Sequence, residues 1–180
     1  MKTFQASILS LFLILVLHIK AANPVIPVQS PGIKNGNQNL FYIERSKNKN
    51  RVYYDANLTS DNFNDKKPID VYWINYEEHF GERGELSIIQ EKLAYGYKSE
   101  KRNSNLFNVK LKAFDKRPLL LFIDNKGVAR AQIRIAGKPA YLKKIFVQSS
   151  ESAFSVSVKY VELFGYDPIS KVELYEKIIP

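Results

Sequence analysis

The chain has 180 residues, with 27 Lys and Arg against 18 Asp and Glu, two His and no Cys. The lack of cysteine excludes a disulfide framework, a thiolate nucleophile, a Cys-ligated metal and a lipid-modified cysteine at an export cleavage point. The length is that of one ordinary domain, large enough to bury a core without such staples.

Residues 1–22 read as a secretory signal peptide. Lys2 supplies the positive start, Ile8 to Leu17 form a short apolar run, and Ala21-Ala22 give a small-residue cleavage site. The run is too short to span a bilayer comfortably, so no transmembrane span is expected once it is removed. Cleavage after Ala22 leaves Lys20 at the third position back, which is poor, whereas cleavage after Ala21 leaves Ile19 there. Lys2 and Lys20 lie in this segment, so the remainder carries 25 cations against 18 anions, a balance of +7. Outside the cytoplasm nucleic acid is not an expected partner. An anionic envelope surface, a glycan or an acidic protein is, unless the charge serves solubility alone.

Residues 23–38 read as a tether, with Pro24, Pro27, Pro31, Gly32 and Gly36 and no core pattern. The folded domain is expected over 39–180. Leu40–Arg45 and Arg51–Asp55 flank the polar turn 46–50 and predict a hairpin. Ile69–Tyr76 predicts a further strand. Leu86, Ile89, Leu93 and Tyr97 fall on one helical stripe, Ser87 and Gln90 have capping-box spacing, and Gly96 sits where a helix ends. Leu106–Phe114 alternates as a strand. Leu119–Ile123 and Val128–Ile135 form a hairpin around Asp124–Gly127, and Ala140–Val147, Phe154–Phe164 and Val172–Ile178 complete the set. About eight strands with one short helix predict a mainly β fold, an antiparallel barrel or sandwich.

The strand blocks Asn39–Ser46 with Asn48 and Asn50, Pro68–Ile74, Leu93–Tyr97, Tyr160–Gly165 and Glu176–Pro180, taken in order, resemble a known family. It is the group of exported bacterial proteins known as domain of unknown function 4833. The resemblance covers nearly the whole mature chain. It implies the compartment and a single-domain organisation, and it lends no reaction, ligand or catalytic residue.

Catalytic constellations are scarce. Beyond the signal segment the one histidine is His79, beside Glu77 and Glu78, and no Gly-x-Ser-x-Gly elbow or phosphate-binding glycine loop is present. Neighbouring carboxylates on a strand point to opposite faces, which weakens a paired-carboxylate mechanism. No catalytic residue, metal site or cofactor is therefore assigned. Three features remain as candidate binding sites. Tyr72, Trp73, Tyr76, Tyr95 and Tyr97 have flat apolar faces and polar tips that suit sugar stacking or a ligand groove, or else they are core and rim residues. Arg130 and Arg134 alternate with apolar residues and share one strand face, either as an anion-binding patch or as an ordinary solvated face. Glu162 shares its period-two phase with Phe154, Val156, Val158, Tyr160 and Phe164. It is then a buried ion pair, a pocket wall, or, if a β-bulge shifts the phase, an exposed carboxylate.

The reading is an exported β domain with a binding or structural role in the cell envelope. The alternatives are an envelope-directed hydrolase using Glu78, His79 or Glu162, and a carrier that holds a small molecule in its interior. Export predicts that the native protein starts at Ala22 or Asn23. N-terminal sequencing checks this, and a membrane-bound product that retains Met1 to Leu17 contradicts it.

Overall fold

The computed structural model describes residues 38–77, 81–152 and 155–180. The signal segment, nearly all of the tether, Glu78, His79 and Phe154 lie outside the described residues. The described chain forms thirteen strands: β1 Gln38–Arg45, β2 Arg51–Ala56, β3 Leu58–Thr59, β4 Asn62–Phe63, β5 Ile69–Asn75, β6 Glu82–Glu85, β7 Tyr97–Asn103, β8 Leu106–Leu111, β9 Phe114–Ile123, β10 Ala129–Ile135, β11 Lys138–Ser152, β12 Ser155–Tyr166 and β13 Glu173–Ile178. One helical turn, α1 Ile88–Gln90, continues as a wider π-helical turn over Glu91–Tyr95.

The mainly β prediction with one short helix holds, and two of its details are corrected. The strand count exceeds eight because β3 and β4 are two-residue strands paired only with each other, and because β6 (Glu-Arg-Gly-Glu) and β7 (Tyr-Lys-Ser-Glu-Lys-Arg-Asn) carry no apolar alternation and are mostly exposed. β6 and β7 are the two ends of the long sheet, whose order is β6-β5-β2-β1-β11-β10-β9-β8-β7. An edge strand is held by backbone pairing on one side, and charge on it discourages pairing with another chain. The predicted strand 106–114 also breaks at Lys112-Ala113 into β8 and β9.

The second correction concerns topology. The sheet is mixed, because β1 runs parallel to β11 with Tyr42 opposite Lys144 and Arg45 opposite Val147. β11 is 15 residues long. One of its edges pairs with β12 from Tyr141 to Ser152. Its other edge is shared: β10 takes Lys138–Tyr141 and β1 takes Lys144–Val147. Where they part, the Gln38 side chain bridges them, donating to the Gly127 carbonyl at 3.3 Å and accepting from the Ala129 N–H at 2.8 Å. The sheet therefore branches and curls into a half-barrel, neither a closed barrel nor two stacked sheets.

The concave face holds the core. Phe41 and Ile43 of β1, Val52, Tyr54 and Ala56 of β2, Ile69 and Val71 of β5, Phe107, Val109 and Leu111 of β8, and Ile145 and Leu163 of β11 and β12 join one buried cluster. Each such side chain contributes about 1.5–3 kcal/mol through burial. The convex face carries a second, aromatic cluster of Tyr42, Tyr53, Tyr72, Ile74 and Tyr76.

The curl is tied across its width by polar contacts. Arg117 of β9 makes a two-pronged ion pair with Glu176 of β13, both contacts at 2.6 Å, and Glu176 also accepts from the Ala136 N–H at 2.6 Å. Arg117 beside it holds the Glu176 carboxyl below the usual range, with the Ala136 N–H adding to the effect. A carboxylate depressed on folding contributes stability above its unfolded-state pKa of about 4.3, and loses it as pH falls through the lower folded value. Replacing Glu176→Gln is expected to cost about 1–3 kcal/mol at neutral pH. The same variant is expected to flatten the acid limb of a plot of Tm against pH below about pH 4. Thermal melts over that range check both.

Candidate functional site

Two cavities meet at one side chain, Arg45. On β1, Phe41, Ile43 and Arg45 share the concave face. Arg45 lines an apolar groove of about 560 Å³ inside the half-barrel. The groove is walled by Ile43, Ile145, Val147 and Val161 on one side and by Leu111 and Phe114 on the other. Arg45 also lines a polar cavity of about 480 Å³, with Asn48, Asn50, Trp73, Arg83 and Gln90. Both volumes are in the range of small-molecule sites.

The guanidinium lies over two rings, 5.4 Å from the Trp73 centroid and 5.9 Å from that of Tyr95. Those rings pack edge-to-face with centroids 5.0 Å apart. Arg45 Nε and Asn48 Oδ1 are buried without a hydrogen-bond partner. Among the described residues no carboxylate pairs with Arg45. Arg83, the other cation of the polar cavity, is paired with Glu85 at 3.4 Å and lies 3.8 Å from the Tyr72 ring centroid.

The helical turn forms the groove's remaining wall through Ala94 and Tyr95. Ser87 caps it as the spacing predicts: its side chain accepts from the Gln90 N–H at 3.2 Å, and Gln90 Oε1 accepts from the Ser87 N–H at 2.9 Å. The same Oε1 accepts from the Trp73 indole at 3.4 Å, joining the cap to the cavity. The predicted apolar stripe does not all turn inward. Leu86 and Tyr97 pack on the core, whereas Ile89 and Leu93 are 70% and 74% exposed. The π-helical turn inserts one residue into the period, so Ala94 and Tyr95 face the core where Leu93 was expected.

Tyrosine hydroxyls fix this turn. Tyr54, fully buried and stacked on Phe41 at 4.4 Å, donates to the Tyr95 carbonyl at 2.7 Å. Tyr97 donates to the Ile69 carbonyl at 2.8 Å and accepts from its N–H at 3.1 Å. Burial pushes the Tyr54 phenol well up and the Tyr97 phenol up to about 12. It raises Tyr95 as well, with Arg45 opposing. These phenols stay protonated at neutral pH, and those of Tyr54 and Tyr97 act as donors. Gly96 ends the turn with its N–H on the Glu91 carbonyl at 2.9 Å. A Cβ at Gly96 would stand 2.0 Å from that same oxygen, so only glycine fits.

The sequence-selected aromatics divide between two faces. Trp73, Tyr95 and Tyr97 lie on the concave side, Trp73 and Tyr95 at Arg45. Tyr72 and Tyr76 lie on the convex side, because neighbouring strand residues point oppositely. Tyr72 donates to buried Asp55 at 2.6 Å, and Tyr76 shares a hydrogen bond with Tyr53 at 3.0 Å. Arg130 pairs with Asp124 at 3.0 Å and donates to the Tyr166 hydroxyl at 3.1 Å. Arg134 donates to the Gly137 carbonyl at 2.7 Å. Both guanidiniums are thus engaged within the chain.

Glu162 is half-buried on the face turned away from the core, in a strand that carries a bulge. The β11–β12 register shifts between Gln148 and Ser149, which leaves Lys159 unpaired and moves Val158 out of phase with Tyr160. Val158 lines the groove, while Glu162 stands between Val161 and Leu163, which face the core. Glu162 accepts from the Tyr175 hydroxyl at 2.8 Å on the opposite face. Arg45, Asn48 and Gln90 were not selected from the sequence. A signal for Arg45 existed, since it occupies the core phase set by Phe41 and Ile43, the same conflict that drew notice to Glu162.

A curled, branched β sheet with an apolar interior groove, and no helix among the described residues long and apolar enough to cross a membrane, defines the class of protein. Residues 41–177 match the family model described as Domain of unknown function (DUF4833), and the chain belongs to that family. No curated protein and no solved structure matches it.

The contacts around Tyr54 and Gly96 make the wall of the groove testable. Tyr54→Phe leaves the Tyr95 carbonyl without its donor and is expected to cost about 1–3 kcal/mol. Gly96→Ala is expected to cost more, because the clash is with backbone. Denaturant melts measure the stability of each variant, and Trp73 emission is expected to shift in both as the turn loosens.

Proposed function

We propose that this protein is an exported, non-catalytic ligand-binding protein of the bacterial cell envelope, and that it holds its ligand in the groove of the half-barrel. The apolar run and small-residue site at residues 1–22 support export. The observation that carries the binding reading is the groove itself. It is a cavity of about 560 Å³ with predominantly apolar walls, beside one guanidinium that has no carboxylate partner among the described residues. Apolar walls with a few placed polar groups are the usual make-up of a small-molecule site. Of the alternatives read from the sequence, this is nearest to the carrier. The hydrolase reading gains no support from Glu162, which stands on the opposite face of its strand from the groove-lining Val161.

The test is binding of a neutral apolar dye, N-phenyl-1-naphthylamine, to the mature protein. Saturable binding at one site per chain is expected. Val158 lines the groove and is 44% exposed, so Val158→Glu adds a charge to the wall without burying it fully. That variant is expected to keep its melting temperature within about 2 °C and to weaken the dye by about tenfold, equivalent to about 1.4 kcal/mol. Absence of saturable binding, or equal binding by a folded Val158→Glu protein, removes the proposal.

A further inference from the structure

We infer that the ligand is an anionic amphiphile, with its carboxylate or phosphate on Arg45 and its aliphatic tail in the groove. This rests on the groove reading above and adds the chemistry of the head. Arg45 lines both cavities, so it marks the place where an apolar interior gives way to a polar one. A guanidinium stays charged at any physiological pH, and desolvating it without a partner is unfavourable. Here Nε is buried and has no acceptor. The Trp73 and Tyr95 rings hold the group by its face. Cation–π contact leaves the edge donors of a guanidinium free, and two oxygens of a carboxylate or phosphate satisfy them together.

Glu82 and Glu85 also line the polar cavity, and an anion is favoured at Arg45 over the other charged sites because its buried Nε has no acceptor. Arg83 already has Glu85, and Arg130 has Asp124. Of the other charged residues lining the groove, Asp115 and Lys116 come from the outer end of β9, next to Phe114, and oppose one another in sign. The tail would lie along Ile43, Ile145, Val147 and Val161, where each buried methylene contributes about 0.8 kcal/mol. Asn48, whose buried Oδ1 lacks a donor, and Gln90 line the head side and suit a hydroxylated or amide-bearing head.

Trp73 is the chain's one tryptophan and lies against Arg45, so its fluorescence reports on the head position. The experiment titrates the mature protein with decanoate, decan-1-ol and acetate, and repeats the series on Arg45→Gln and Arg45→Lys. The expected result is decanoate binding about tenfold or more tighter than decan-1-ol, with acetate silent. In Arg45→Gln the decanoate advantage is expected to fall to about twofold or less, with decan-1-ol unchanged. Arg45→Lys keeps the charge and the stem, provides the folded comparison if the Gln variant is unstable, and is expected to retain part of the advantage. Equal binding of decanoate and decan-1-ol to the wild type overturns the head-group inference and leaves the groove reading standing. So does a decanoate advantage that survives in both variants. Acetate binding as tightly as decanoate shows a bare anion site and overturns the inference from the other side. Failure of both ten-carbon ligands to bind removes the groove reading along with it.

Discussion

The shared edge of β11 is the constraint from which the rest of the structure follows. One long strand gives its first four residues to β10 and a later stretch to β1, while β12 runs along its other side. Two neighbours that start on one edge at different heights cannot stay in one plane in a twisted sheet. They splay, and the sheet curls so that its concave side encloses the groove. β1, β11, β12 and β13 supply one wall, and the β8–β9 turn and the π-helical turn supply the other. The bulge at Lys159 completes the arrangement by turning Val158 into that space. Site and topology are thus products of the same pairing.

The convex face is stabilised differently from the concave one. Tyr42, Tyr53 and Tyr72 form a ladder across β1, β2 and β5, with ring centroids 5.6 and 5.9 Å apart. Arg51 lies 4.8 Å from the Tyr42 centroid, and Arg83 caps the row at Tyr72. Burial pushes the Tyr72 phenol up, and its bond to Asp55 acts in the same direction. Asp55 is the one buried carboxylate among the described residues, and Tyr72 and Asn39 together satisfy it. Arginine over tyrosine on an outer face contributes about 0.5–1 kcal/mol per contact where exposed. This ladder takes up Tyr72 and, through the Tyr53 hydroxyl, Tyr76, two of the five aromatics that in sequence looked available for a ligand.

What the sequence made legible was local. Alternation located the strands that bury one face, because Phe41, Ile43, Val52, Tyr54, Ile69 and Val71 repeat every second residue. The capping box of Ser87 and Gln90 was readable because it depends only on four adjacent residues. β6 and β7 were not readable, since edge strands are selected to be charged and show no alternation. The parallel β1–β11 pair was not readable either, as nothing in either strand distinguishes a parallel neighbour from an antiparallel one. For the candidate site the limit was phase. A single inserted residue, at the π-helical turn or at Lys159, reverses which side chains face inward. It turned Leu93 out and Glu162 away from the core. Trp73 and Tyr95 could be picked as aromatics, but only the three-dimensional curl brings Arg45 over both rings.

The position of β1 also has a consequence for when the domain can form. The first strand of the domain is central in the sheet, and its parallel partner lies about a hundred residues further along the chain, with Tyr42 set against Lys144. Until β11 has been synthesised, β1 is the open edge of the antiparallel set β1, β2, β5 and β6, and the apolar face of that set lacks the wall that β11 and β12 supply. Contacts of such long separation make folding slow, because the intervening loop must be closed before they contribute. The native sheet is therefore incomplete until β11 and β12 have been added, close to the end of the chain. On the export route proposed above, that delay keeps the chain threadable through a membrane pore. With no cysteine to oxidise, folding on the far side needs only the sequence itself.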